Sequence, residues 1–244
     1  MYDFIKGETL LINKPYEWTS FDAVNKIRNT LENIRNAEGK KLYRKIKVGH
    51  AGTLDPLATG LLIICTGAYT KKINELMGME KEYTGTFYFG ATTPSFDKET
   101  SVEATFKTEH ITEQMLRETF LTFIGTTQQT PPAHSATSIN GERAYKMARR
   151  GEEVILKPKE ITITEFEITK IEMPEVHFRV VCSKGTYIRA LAFDIGKAVG
   201  SGAYLSSLCR TRIGNFNLES AKNVLEFCNQ LRSGEIPLVV DKEE

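Results

Sequence analysis

The sequence predicts an α+β fold, on three observations. At 244 residues and 41% hydrophobic composition, the chain can bury a sizeable core without disulfide or metal support. Strand-like and helix-like stretches are mixed, without the regular alternation that a doubly wound sheet requires. No internal repeat or low-complexity segment points to a solenoid or a disordered chain.

Taken in order, residues 9–13 read as a strand closed by a turn at Pro15. Thr19 or Ser20 caps a helix whose apolar face is Phe21, Val24, Ile27, Leu31 and Ile34. Residues 36–47 form a polar, basic loop, and the apolar run 61–65 reads as a buried strand. A short helix is expected over 70–77, and a strand rich in Thr and aromatics over 83–89. After a polar turn at 91–100, Thr112 caps a helix burying Met115, Leu116, Phe120 and Phe123. Residues 126–141 look irregular, with Pro131-Pro132 and Asn140-Gly141 as breakers. A basic helix over 142–150 ends at Gly151. Strands at 161–171 and 176–181 flank Met173-Pro174, and a helix at 187–199 ends at Gly200. A helical turn at 203–208, a strand at 211–216 and a helix at 220–231 complete the chain.

The densest chemistry lies in residues 48–60. One carboxylate (Asp55), one imidazole (His50) and three glycines precede the apolar run. Glycine lets backbone approach a ligand closely. Pro56 fixes its own φ and turns Asp55 away from helix. A carboxylate on a stiff loop is how a nucleophile or general base is commonly presented.

Net charge is +1, from 32 Lys+Arg against 31 Asp+Glu, so overall charge names no polyanionic partner. Its distribution is more telling. Lys40, Lys41, Arg44, Lys45 and Lys47 fall together just before His50, Arg143, Lys146, Arg149 and Arg150 form a second group, and Arg210 and Arg212 a third. The first group, beside the glycine turn, suggests a groove that tracks phosphates. The cysteines Cys65, Cys182, Cys209 and Cys228 lack Cys-x-x-Cys spacing and read as small buried hydrophobes in a reducing compartment. The histidines His50, His110, His134 and His177 have no ligand spacing, so no metal is expected. With no signal-like or membrane-spanning run, the expectation is a soluble, cytoplasmic protein.

The stretch from His50 to Gly60, HAGTLDPLATG, resembles the signature of the TruB-type tRNA pseudouridine synthases, whose aspartate is catalytic. Five further blocks fall in family order. Asn13-Lys14-Pro15 with Trp18-Thr19-Ser20 is similar to the family's opening, Lys81-Glu82-Tyr83 to its Lys-x-Tyr, and Gly90 through Asp97 to its acidic turn. QTPPAHSA from Gln129 to Ala136 and CSKGTYIR from Cys182 to Arg189 match two more, and Gly202 to Leu208 continues the register. Glu17 stands where the family usually has glycine, so the opening loop is expected to differ in shape. Pro94 replaces an acidic residue common before Asp97.

The resemblance implies a pseudouridine-synthase core: a mixed, largely antiparallel sheet flanked by helices, with the site in a central cleft. A catalytic domain is expected over 1–232 with a short tail over 233–244; many relatives carry a C-terminal PUA domain, and because only about thirty residues follow Phe216, none is expected here. The resemblance further implies isomerisation of the uridine at position 55 of the tRNA T-loop, a reaction without redox change or hydrolysis that needs neither metal nor organic cofactor. Asp55 is implied as nucleophile or proton acceptor, with Arg189 orienting it and Tyr83 stacking on the base or moving a proton. Tyr187 and Leu208 would line the uracil pocket, Asp97 would orient polar partners, and His50 would fill the gap left by the extruded base. Lys41, Arg44, Lys45, Arg143, Lys146, Arg149 and Arg150 would follow the backbone of the T-arm stem-loop. No obligate protein partner is evident. Two alternatives stay open: a tRNA-folding chaperone, and the same chemistry on another RNA. A zinc base deaminase is excluded, because no His-x-Glu with Pro-Cys-x-x-Cys is present.

Overall fold

In the computed structural model, residues 1–135, 137–139 and 141–239 are described. Ala136 of the QTPPAHSA block, Asn140 of the predicted Asn-Gly breaker and residues 240–244 of the predicted tail lie outside the described residues. In chain order the elements are β1 (Thr9–Lys14), α1 (Ser20–Glu32), β2 (Val48–His50), β3 (Ala58–Thr66), α2 (Ile73–Gly78), β4 (Lys81–Phe89), β5 (Ala91–Thr92) and β6 (Ala104–Thr105). There follow α3 (Glu113–Thr122), β7 (Gly125–Gln129), β8 (Ser138–Ile139), β9 (Glu142–Arg143), α4 (Ala144–Arg149), β10 (Lys159–Glu172) and β11 (Glu175–Cys182). The chain closes with α5 (Ile188–Ala198), β12 (Ala203–Ile213), β13 (Phe216–Asn217), β14 (Lys222–Asn223) and α6 (Val224–Ser233). It divides into two units, residues 1–79 with 209–244, and residues 80–208.

In the first unit, β3 pairs antiparallel with both β1 and β2, while β14 lies parallel to β1. Leu62 and Ile64 face a cluster with Phe4, Ile27, Leu31 and Phe227. Leu61, Ile63 and Cys65 face a second cluster with Leu76 and Ile213. Burial on both faces explains why β3 reads as an unbroken apolar run rather than an alternating one. Each such Leu or Ile contributes roughly 2 kcal/mol of transfer free energy, which makes β3 a stiff base for the turn before it.

Helix α1 begins with a capping box: Thr19 Oγ1 accepts from Asp22 N at 3.1 Å, and Asp22 Oδ2 accepts from Thr19 N at 2.8 Å. Its buried face is Ser20, Ala23, Val24, Ile27, Thr30 and Leu31. The sequence reading put Phe21 on that face, but Phe21 is exposed, beneath the Arg28 guanidinium. Ser20, which hydrogen-bonds Leu54, sets the helix rotation and turns Phe21 outward.

In the second unit, β4, β11, β10 and β7 lie side by side in that order, each pair antiparallel. Phe87 stacks on Phe178 at 4.1 Å, and Phe120 of α3 packs on Phe166 of β10 at 4.4 Å. Thr112 caps α3 through Met115 N, as the sequence predicts; Leu116 and Phe120 are buried, whereas Met115 and Phe123 are only half-buried.

Four element assignments need correction here. The start of the 126–141 segment is strand β7, recruited by β10 through Thr126–Thr162 and Gln129–Lys159 pairing. The basic helix starts at Ala144, because Glu142 and Arg143 pair with Ile139 and Ser138. The helical turn expected at 203–208 is the first half of one long strand, β12. Leu205 N donates to Phe96 O at 2.9 Å and Ser207 Oγ to Thr86 Oγ1 at 2.9 Å, so tertiary pairing overrides a short apolar run that fits either period. Near the C-terminus, Ser220 ends a single 3-10 turn over Leu218–Ser220, Lys222 and Asn223 form β14, and α6 begins only at Val224, capped by Asn223. Among the described residues no helix is long and apolar enough to cross a membrane.

Candidate active site

Asp55 lies in the turn between β2 and β3 and is half-buried. That turn is held from several sides within the first unit. Ser20 Oγ accepts from Leu54 N at 2.8 Å and donates to Leu54 O at 3.2 Å. Pro56 O accepts from Glu17 N at 2.9 Å and from Lys14 Nζ at 3.3 Å. Asp55 O accepts from Ala58 N at 3.0 Å. The residues on both sides of Asp55 are therefore tied to the α1 N-terminus and the opening loop, which fixes where the carboxylate sits.

Two fully buried cations complete the frame. The Lys14 ammonium donates to Trp18 O at 2.6 Å and Pro15 O at 3.0 Å besides Pro56. Arg210 spreads its guanidinium over three carbonyls, with Nε to Leu61 O at 2.8 Å, Nη2 to Gly52 O at 3.2 Å and Nη1 to Thr53 O at 3.4 Å. It thereby fastens the glycine turn to β3. The sequence reading grouped Arg210 with the basic surface clusters, but at 1% exposure it is a buried clamp. Burial pushes the Lys14 ammonium down to about 8, the charge of Asp55 opposing the shift and that of Arg210 adding to it.

His50 ends β2, opposite Ile64, and is half-buried. Burial lowers the imidazole below its ordinary range, the Gly52 backbone opposing and Arg210 adding to the fall. A neutral ring at pH 7 suits stacking against a base better than ion pairing. Glu17 holds a left-handed conformation, φ 65°, that glycine adopts more easily.

In the second unit, Arg189 is buried near the start of α5. Its Nη1 donates to Ser95 O at 3.1 Å and its Nη2 to His134 O at 2.9 Å, and its Nε lies 3.5 Å from Asp97 Oδ2. The other oxygen, Asp97 Oδ1, accepts from Ser95 Oγ at 2.6 Å and Glu99 N at 2.9 Å. Asp97 thus positions Arg189, and this pair is one the sequence reading named residue by residue without joining. Tyr83, on β4 opposite Val180, is buried. Tyr187 is clamped by Gln129, whose Oε1 accepts from Tyr187 N at 2.8 Å and whose Nε2 donates to Tyr187 O at 3.1 Å. Leu208 is half-buried on β12.

Lys41, Arg44 and Lys45 are exposed in the basic loop, as are Arg143, Lys146, Arg149 and Arg150 around α4. Arg149 pairs with Glu99, and Arg150 with Glu142 and Glu152, so part of that second cluster is already matched by acids. Sequence reasoning gave no part in the site to Lys14, Ser20, Gln129 or Arg210, offering Ser20 only as a candidate helix cap. The first three lie in blocks the resemblance singles out; Arg210 stands out only as one of a small basic group with Arg212. No cluster of potential metal ligands occurs among the described residues.

Residues 40–188 match the family described as TruB family pseudouridylate synthase (N terminal domain). The chain is 53% identical over 230 residues to tRNA pseudouridine synthase B of Flavobacterium johnsoniae, covering 94% of this chain and 98% of that one. It is 52% identical over 240 residues to tRNA pseudouridine synthase B of Parabacteroides distasonis, covering 98% and 100%. Among solved structures it is similar to a chain in the crystal structure of a Cbf5-Nop10-Gar1 complex, with a TM-score of 0.69 and 25% identity. That match covers 93% of this chain and 56% of the other's length.

Proposed function

Because the chain belongs to the TruB family of pseudouridylate synthases, we infer that it isomerises uridine to pseudouridine in tRNA, and we propose that its target is the T-loop uridine, position 55. The fold is the mixed, mostly antiparallel one of pseudouridine synthases. Isomerisation breaks the bond from ribose C1′ to uracil N1 and joins C1′ to C5. The hydrogen leaves C5, N1 gains a proton, and no electrons enter or leave the substrate. A carboxylate must stand at the ribose–base junction, either to attack sugar or base or to take a sugar proton.

Asp55 is our nucleophile. What carries this reading is its turn, in which Leu54 and Pro56 are both tied by hydrogen bonds to the opening loop and α1, and Arg210 holds the glycines ahead of it. Such pinning supplies the near-attack geometry from which most of the entropic advantage comes. We assign Arg189, held by Asp97, and Tyr83 to the same reaction, Tyr83 stacking on uracil and moving the proton at C5 or N1. His50 takes the place of the extruded base, while Tyr187 and Leu208 bound the uracil. The exposed cations Lys41, Arg44, Lys45, Arg143, Lys146, Arg149 and Arg150 contact the T-arm backbone, the latter two after exchanging acid partners for phosphate.

Pseudouridine mapping on unmodified tRNA transcripts tests this. Purified protein without added cofactor converts the single T-loop uridine and no other. Conversion elsewhere in tRNA would refute the position; conversion only in other RNAs would refute the substrate.

A further inference from the structure

Away from the Asp55 turn, the first unit has a cavity of about 420 Å³ between the end of the basic loop and the segment after β3. Arg44, Lys45, Lys47 and Lys71 line it, with Tyr43 and Thr70. All four cations are exposed, and none forms an ion pair among the described residues. This contrasts with Arg149 and Arg150, which have acid partners.

The walls are fixed by backbone. Gly67 N donates to Lys47 O at 2.9 Å and Ala68 N to Ile5 O at 3.3 Å, while Thr70 Oγ1 donates to Gly67 O at 2.8 Å. Lys45 holds φ at 56°, a conformation for which glycine is the easier residue, yet the position carries a cation. Four like charges converging on a concave, partly apolar space repel one another. A bound anion removes that repulsion.

The cavity is separate from the catalytic turn. Strand β2 leads from Lys47 to His50 and pairs with β3, putting the cavity at the Thr66 end, whereas the Asp55 turn enters β3 at Ala58. From Lys47 to His50 is roughly 10 Å along a strand, a distance that a few nucleotides of RNA span.

We propose that this cavity is a phosphate-binding site that grips the backbone of the substrate RNA at a nucleotide other than the one isomerised. The proposal rests on the RNA-modifying reading above. Phosphate is the ligand chemistry that the four cations recognise, and RNA is the source chosen because, in the function proposed above, His50 on the same strand meets the same substrate.

The test is tRNA binding by the double variant Lys47→Gln/Lys71→Gln as a function of salt, with Lys45→Gly as a second variant that suits the φ and removes only a cation. Thermal unfolding checks that each folds. The expected result is a slope of log affinity against log salt shallower by about one for the double variant, and affinity at 0.15 M salt weakened roughly fivefold or more. Unchanged slope and affinity in folded variants would overturn the proposal. Inorganic phosphate and adenosine monophosphate, titrated against the amides of residues 44–47 and 67–71, provide the second arm. Saturation below millimolar concentration, with the tRNA slope untouched, would assign the site to a free phosphate and overturn the RNA source. If wild-type protein makes no pseudouridine while its salt slope still responds to these substitutions, the functional reading fails and the cavity assignment stands.

Discussion

At the scale of the residue, the chemistry depends on cations that the fold takes out of water. Lys14 holds its proton less tightly when folded, at about 8, than in the unfolded chain, at 10.5. Between those values the unfolded chain binds more protons, so stability rises with pH across that window. Urea unfolding of wild type and Lys14→Met at several pH values checks this: the wild-type stability minus the variant's is flat below pH 8 and climbs from about 8 to 10.5. Arg210 supports a second expectation. Lysine keeps the charge but cannot reach Leu61, Gly52 and Thr53 together, so Arg210→Lys costs about 2–3 kcal/mol of stability. Because the clamp acts on the Asp55 turn, kcat falls at least tenfold, with KM for tRNA little changed, in steady-state assays of pseudouridine formation.

At the scale of the element, the Asp55 turn works because β3 cannot move and the opening loop closes over Pro56. Gly60, where β3 pairs with Lys14 of β1, shows how tight this is: a Cβ there would collide with the backbone oxygen of Arg210. The opening loop has slack at one point. Glu17 is exposed and left-handed at φ 65°, a conformation that disfavours any L-residue by about 1–2 kcal/mol, partly offset by the flexibility of glycine in the unfolded chain. Glu17→Gly therefore leaves stability unchanged or raises it by up to about 1 kcal/mol, and Glu17→Val lowers it, as thermal melts would measure. Its backbone N–H, which holds Pro56 O, is present in all three proteins.

At the scale of the whole molecule, what was legible in the sequence followed the local rules. Helix caps at Thr19 and Thr112, the buried run of β3 and the hairpin around Met173-Pro174 were read from capping chemistry and period. Asp55, His50 and Arg189 stood out because their blocks are chemically unusual. What could not be read was decided by partners distant in sequence. Strand β12 is made by pairing, Phe21 is turned out by the Ser20–Leu54 bond, and Arg210 is buried by carbonyls more than 140 residues away. No period or spacing encodes such contacts. Burial also makes a prediction for the cysteines. Cys65, Cys182 and Cys228 are buried, and burial raises their thiols, that of Cys182 to about 12; Cys209 is half-buried. Native protein therefore reacts rapidly with one equivalent of a thiol reagent, and with four after unfolding.

The central claim is that the Asp55 carboxylate, held by its turn, carries out the isomerisation. Asp55→Asn keeps the shape and removes the nucleophile, so the direct measurement is single-turnover pseudouridine formation by this variant at saturating tRNA, with tRNA binding measured in parallel. The account predicts normal binding and no product. Product formed by the variant, above the level that wild-type contamination explains, would contradict it.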